Sequence, residues 1–246
     1  MDTAVVARTT ALNRRFEGVI AWMYLDIKGL VTCGIGNLID PMDAALPLPW
    51  QRKADGRPAS QAEIMAEWQR IKAQTDLARR GAQAAKAVAT LELSDAMIDA
   101  LARRKLEANH DTLRRRFPGL DDWPADAQVA LHLMAWAMGP GFPRTWPKFS
   151  AACEVRNWLS AAAEAHIPDT GNAGLVPRNP EVRRLLLAAA NAAPAERPRV
   201  DPPRPAVSPA PSLPARAAPA SKDPLRTGGW LEGIVALLRS IFVRRA

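Results

Sequence analysis

The stretch PADAQVALHLMAWAMG, residues 124 to 139, is apolar almost all the way round. A helix without a polar face must be covered on every side, so this segment predicts a central helix wrapped by others. The chain has the material for that. Its 246 residues are 48% hydrophobic and 24% charged, enough for one body of roughly 150 to 200 residues plus an appendage. No run reaches the roughly 18 apolar residues of an ordinary membrane span.

Helical patterns surround the central segment. Residues 3 to 17 form the first, with Val5, Ala11, Leu12 and Phe16 as its apolar face. Ser60 and Glu63 make a capping box before a helix at about 61–80. Its buried stripe is Ile64, Trp68, Ile71 and Leu77, and Gly81 is its stop. Further helices are predicted at 94–117, 150–166 and 180–192. Between the first two helices the pattern changes. In MYLDIKGLVTCGIGNL, β-branched and aromatic residues are punctuated by Gly29, Gly34 and Gly36, the mark of a small hairpin or sheet. Pro41, Pro47, Pro49 and Pro58 make 40–59 a loop. The expected fold is α+β and mainly α, with a small N-terminal β-hairpin and a helical lobe over residues 1–193.

From residue 194 the character changes. Ten of the 32 residues at 194–225 are proline, which makes a semi-extended linker, taken as 194–228. It leads to a cationic amphipathic helix at 229–246. There Trp230, Leu231, Ile234, Val235, Leu237, Leu238, Ile241 and Phe242 share one face, against Glu232, Arg239 and Arg244 on the other. The net charge is +8, and nine Lys and Arg against four Asp and Glu after residue 193 put +5 of it in this tail. The body is only mildly basic, and no nucleic-acid partner is expected. Residues 229–245 suit an anionic membrane or the groove of a delivery or immunity protein, or they fold back on the body. The N-terminus lacks a cationic start with an apolar stretch and cleavage site, so synthesis without a signal peptide is expected.

The chemistry is in RFEGVIAWMYLDIKGLVTCGIGNLID, residues 15 to 40. Glycosidic cleavage by two carboxyl groups requires a protonated acid at the leaving oxygen and a second carboxylate across the sugar. Glu17, among Phe16, Val19 and Ile20 at a helix end, is the better acid, because desolvation disfavours its charged form. Asp26, in a glycine-punctuated hairpin beside Lys28, remains ionised at lower cost. Thr32 offers a hydroxyl to hold a water.

Glu17-Gly18, Tyr24, Asp26, Gly29 and Thr32-Cys33-Gly34-Ile35-Gly36 together closely resemble the phage-type lysozymes, glycoside hydrolase family 24. The resemblance implies cleavage of the β-1,4 bond between N-acetylmuramic acid and N-acetylglucosamine in bacterial peptidoglycan. Glu17 would be the general acid, Asp26 the carboxylate that activates water, and Thr32 the residue that orients it. ALHLMAWAMGPGF and GNAGLVPRNPEVRRLL extend the likeness, and Arg178 would match the arginine that faces the catalytic glutamate. The resemblance covers about residues 3–193, strongest at 16–38. It departs at Asn37, where the family usually has histidine.

By this likeness the chain is a bacteriolytic endolysin or a secreted antibacterial effector, delivered to the periplasm by a holin or a secretion machine. The alternative is a lysozyme-like binding or structural module without catalysis. Trp136 and Trp146 are the candidate sugar-stacking rings. No cofactor and no metal are expected, because His110, His132 and His166 lack ligand spacing, and His132 suits a core position. Cys33 suits a buried thiol, and whether it pairs with Cys153 is open at this stage.

Overall fold

The computed structural model describes residues 1–170 and 174–192. The linker at 194–228 and the amphipathic helix at 229–246 lie outside the described residues. Within them the chain is mainly helical, with small antiparallel sheets. No described helix is long and apolar enough to cross a membrane.

Helix α1 (Thr3–Glu17) starts where the Asp2 carboxylate accepts the Ala4 N–H at 2.6 Å, and it stops at Gly18. Its buried face is Val5, Val6, Thr9, Asn13 and Phe16, whereas Ala11 is exposed and Leu12 half-buried. The shift from the expected face has a polar cause. The Thr9 hydroxyl donates to the Val5 carbonyl at 2.7 Å and Asn13 accepts from Arg178, so both are buried with partners.

Strands β1 (Ile20–Leu25), β2 (Val31–Gly34) and β3 (Asn37–Leu38) follow in antiparallel order β1-β2-β3. Tyr24 is opposite Thr32, which is opposite Leu38 on its other side, and Leu25 is opposite Val31. Alternation therefore sets Leu25 and Val31 into the core and places Tyr24, Thr32 and Leu38 in one row on the other face.

The expected loop at 40–59 holds β4 (Gln51–Arg52), paired antiparallel with β5 (Leu91–Glu92). Two-residue strands in a proline-rich stretch have no periodicity to read. A buried carboxylate fixes them instead. Glu67 on α2 (Gln61–Ala73) accepts the Thr90 N–H at 2.9 Å and its hydroxyl at 2.7 Å. Helix α2 has the capping box of Ser60 and Glu63 but ends at Ala73, not residue 80. Gln74 leaves helical backbone, and α3 (Leu77–Arg80) and α4 (Ala82–Lys86) are separate short turns. The break lets Leu77 and Ala85 both join the core beneath the sheet.

Helix α5 (Asp95–Arg116) has 22 residues, a length of about 33 Å, and runs through two cores. Ile98, Leu101, Ala102 and Leu106 belong to the core under the sheet, and Leu113 to a helical one. The second core is built on α6 (Ala125–Met138), buried at every position from Ala127 to Trp136. Helices α1, α5 and α9 (Leu175–Ala192) pack on it directly. The expected helix at 150–166 is two, α7 (Pro147–Glu154) and α8 (Trp158–Glu164), broken where Arg156 takes φ +53° and Asn157 caps the next turn. Helix α9 begins five residues before Pro180. Pro177 falls in its first turn, where an N–H has no partner to lose.

Cys33 lies in the sheet-side core and Cys153 in the helical core, and both are free. Burial pushes each thiol up to about 12, with Glu154 adding to the effect at Cys153. Both should therefore resist a thiol reagent at pH 8 on the native protein and react together once guanidinium unfolds it. Rapid labelling of either in the native state would contradict this burial.

The structure joins two histidines that are distant in sequence. His110 Nδ1 lies 3.2 Å from His132 Nε2, and His110 Nε2 lies 2.9 Å from Asp121 Oδ1. Burial, then the neighbouring His110, pulls His132 down to about 3. Between its unfolded value near 6.5 and about 3, the unfolded chain binds a proton that the native protein refuses. The contribution is complete above pH 6.5 and is lost as pH falls. Melting temperature should drop between pH 6.5 and 5, above the range of ordinary carboxylates, and His132→Gln should flatten that slope in calorimetry.

Candidate active site

Glu17 ends α1, and Asn13 stands one turn earlier on the same face. Both meet Arg178, near the start of α9, whose side chain is fully buried. Arg178 Nη1 donates to Asn13 Oδ1 at 3.1 Å and to the Leu133 carbonyl at 2.9 Å, and Nη2 donates to the Glu17 carboxylate. Its guanidinium is 5.2 Å from the centre of the Phe16 ring. Helices α1, α6 and α9 thus converge on one cation. Burial holds Arg178 below the ordinary arginine value, and Glu17 restores part of the loss.

The apolar pocket expected around Glu17 is absent. Its side chain is 37% exposed, with Phe16 turned to the arginine and Val19 and Ile20 only half-buried. The carboxylate is held by an ion pair on one side and open to water on the other.

Asp26 follows β1 and shapes the hairpin turn. Its Oδ1 accepts the N–H groups of Lys28 at 2.8 Å and Leu30 at 2.9 Å, an Asx turn closed by Gly29 at φ +73°. Oδ2 has no hydrogen-bond partner among the described residues. Lys72 on α2 donates to the Gly29 carbonyl at 2.8 Å and to Asp40 at 2.5 Å, tying the turn to the body. Thr32 is 5% exposed, and its hydroxyl donates to the Leu30 carbonyl at 3.1 Å. That spends its one proton and leaves its lone pairs to accept.

Tyr24 is opposite Thr32 in the sheet. Its phenol is pushed up to about 12, chiefly by burial, then by Cys33, Asp26 and Glu17, and it keeps its proton at neutral pH. Tyr24 and Thr32 are thus neighbours in the hairpin, Asp26 forms its turn, and Arg178 holds Glu17 at the end of α1.

The tryptophans behave differently. Trp136 is 7% exposed, with the Lys105 ammonium 4.0 Å from its ring centre, so little of the ring remains for a sugar. Trp146 is half-buried and packs against the helical core, apart from Trp136, which belongs to the sheet-side core. At the departure from the resembling pattern, Asn37 Oδ1 accepts the Ile35 N–H at 3.2 Å and closes the Gly34–Gly36 turn. Gly34 takes φ +63°, which favours glycine, and a Cβ there would also meet that same oxygen at 2.9 Å. Among the described residues no group of three or more His, Cys, Asp or Glu could hold a metal ion.

Sequence reading alone missed Asn13, a role for Tyr24, and Lys105. The spacing of four between Asn13 and Glu17 is a usable signal, since it sets both on one helical face. Tyr24 was legible only through its strand register. Comparison of the chain with protein-family models and with curated proteins finds no match.

The arginine junction makes a quantitative expectation. Arg178→Met leaves the Asn13 oxygen buried without a donor and removes the bond to the Leu133 carbonyl, while Glu17 stays partly hydrated. The loss should be about 2–3 kcal/mol, read as a lower urea midpoint at unchanged slope. An unchanged midpoint would mean that the three helices do not depend on this cation.

Proposed function

We propose that the chain is a peptidoglycan hydrolase of lysozyme-like fold, cleaving the β-1,4 bond between N-acetylmuramic acid and N-acetylglucosamine. The observation that carries the reading is the setting of Glu17, partly exposed at the end of α1 and ion-paired to a buried arginine that also binds Asn13 and the Leu133 carbonyl. The resemblance of residues 16–38 to the phage-type lysozymes supplies the reaction class.

The steps follow from the groups present. Glu17 must first take up a proton in place of its ion pair with Arg178. It then gives that proton to the glycosidic oxygen as the bond from that oxygen to the anomeric carbon breaks, and the departing sugar leaves as an alcohol. Arg178 then faces the negative charge left on Glu17. A water held between Asp26 Oδ2 and the Thr32 lone pairs attacks the anomeric carbon and gives its proton to Asp26. Because the Thr32 hydroxyl proton is bonded to Leu30, Thr32 can only accept from that water, which orients the attacking lone pair. Proton exchange with solvent resets the pair.

Delivery to the wall by a holin or a secretion machine is part of this proposal, and residues 229–245 are the segment proposed for membrane or partner contact. The experiment is digestion of purified sacculi. Wild-type protein should release reducing muropeptides, and Glu17→Gln should slow this on the order of 10^3-fold with its melting curve intact. No release by the wild type, or full activity in Glu17→Gln, would leave the hydrolase reading without support.

A further inference from the structure

A groove of about 490 Å³ opens next to the candidate site. Its apolar lining includes Leu38, Pro47, Leu48 and Leu101, and its charged lining is Arg104 and Lys105 from α5. Among the described residues no carboxylate lines it. Volume and lining match a pocket for a small, partly apolar ligand with a few fixed polar contacts.

The charge balance of the lining matters here. Several surface arginines have acidic partners, as Arg8 has Asp126 and Arg14 has Asp95 and Asp99. Arg104 makes no ion pair among the described residues. Lys105 is more deeply placed. Its ammonium bonds one neutral oxygen, the Gly36 carbonyl at 3.2 Å, and rests 4.0 Å from the centre of the Trp136 ring. Burial holds Lys105 down to about 8, only partly offset by Glu17 and worsened by Arg178. A cation stripped of water and given no counter-ion gains from any anion that reaches it. Lys105 in that setting, with the exposed Arg104 as its neighbour and an apolar floor below, asks for an anionic ligand with aliphatic parts.

We infer that this groove is a subsite for the carboxylates of the peptidoglycan stem peptide, with Arg104 and Lys105 as the groups that bind them. The inference rests on the proposed function for the identity of the ligand. Its geometry is continuous with that site, since Gly36 and Leu38 follow directly on the strand that carries Thr32 and Lys105 lies in the field of Glu17. A glycan strand lying over the hairpin would bring a lactyl-linked peptide to this side. The alanine methyl groups of such a peptide suit Leu38, Pro47 and Leu48, and its free carboxylates suit the two cations.

The test is a binding measurement that does not need catalysis. The full chain is titrated calorimetrically with a GlcNAc–MurNAc disaccharide bearing an acidic stem peptide, a ligand without the scissile bond. The same compound with its carboxylates converted to amides is the comparison. Wild-type protein should bind the carboxylate form at least tenfold more tightly. In Arg104→Gln/Lys105→Met the difference should fall below twofold, with melting curves showing that the variant is folded. Lys105→Arg should retain most of the difference. The Lys105 titration, about 8 in the free protein, should move upward by NMR when the carboxylate form binds. Equal affinity for the two forms, no binding of either, or a double variant that still discriminates would overturn the inference. So would displacement of the ligand by inorganic phosphate at matching concentration, which would mark a site for simple anions. Sacculus digestion separates the two readings. Discrimination without digestion would remove the hydrolase alone, and digestion without discrimination would remove this subsite alone.

Discussion

One buried cation holds the candidate site in place. Arg178 draws in the end of α1 through Asn13 and Glu17, the last turns of α6 through the Leu133 carbonyl, and the first turn of α9 through its own backbone. A guanidinium in a protein interior is costly, and breaking its bonds leaves several polar groups stranded. It is therefore an inefficient way to join helices that already share an apolar core. Its presence makes sense if the position of Glu17 matters more than the stability gained. The ring of Phe16 covers the guanidinium face and leaves only its edges for hydrogen bonds. Glu17 is consequently oriented by a group that cannot itself swing into solvent.

The division into two cores gives this junction its setting. Helix α6 has no polar face and must be enclosed, which places α1, α5 and α9 around it. The sheet has one apolar face and needs a second cover, supplied by α2 to α4 and the first half of α5. Because α1 and α5 serve both cores, the end of α1 and the hairpin after it lie where the two meet. The row of Tyr24, Thr32 and Leu38 is on the other face of the sheet, where Leu38 is exposed and Tyr24 is partly buried against the sheet-side core. A polar site at that place displaces little apolar packing from either core.

What the sequence made legible follows the same division. The enclosed helix, the capping box at Ser60, the helix across 94–117 and the hairpin were readable, because each is a local pattern with a local cause. The strands β4 and β5 were not, because Glu67 organises them from a helix more than twenty residues away. The face of α1 differs from its apolar pattern for a related reason: Asn13 looks like a surface residue until Arg178, far along the chain, makes its burial acceptable, and Thr9 is buried with its hydroxyl on the Val5 carbonyl. At the site, the motif contained Glu17, Asp26 and Thr32, yet not the exposure of Glu17, which depends on where Phe16 turns. Trp136 was chosen for its ring, and its covering by Lys105 is a contact between two helices that no spacing encodes.

Asp26 shows why structural and chemical readings of one residue need not compete. Oδ1 is spent on two backbone N–H groups, and this alone would justify an aspartate at the turn. The same bonds fix the carboxylate so that Oδ2 has a defined place without a protein donor. Thr32 is divided likewise, its proton bound to Leu30 and its lone pairs free. Lys72, by holding the Gly29 carbonyl and Asp40, passes the rigidity of α2 to the turn that carries both. Stability of the hairpin alone does not call for an acceptor oxygen and a buried hydroxyl left half-satisfied next to the Tyr24 strand. In the proposed reaction those open valences would receive the attacking water.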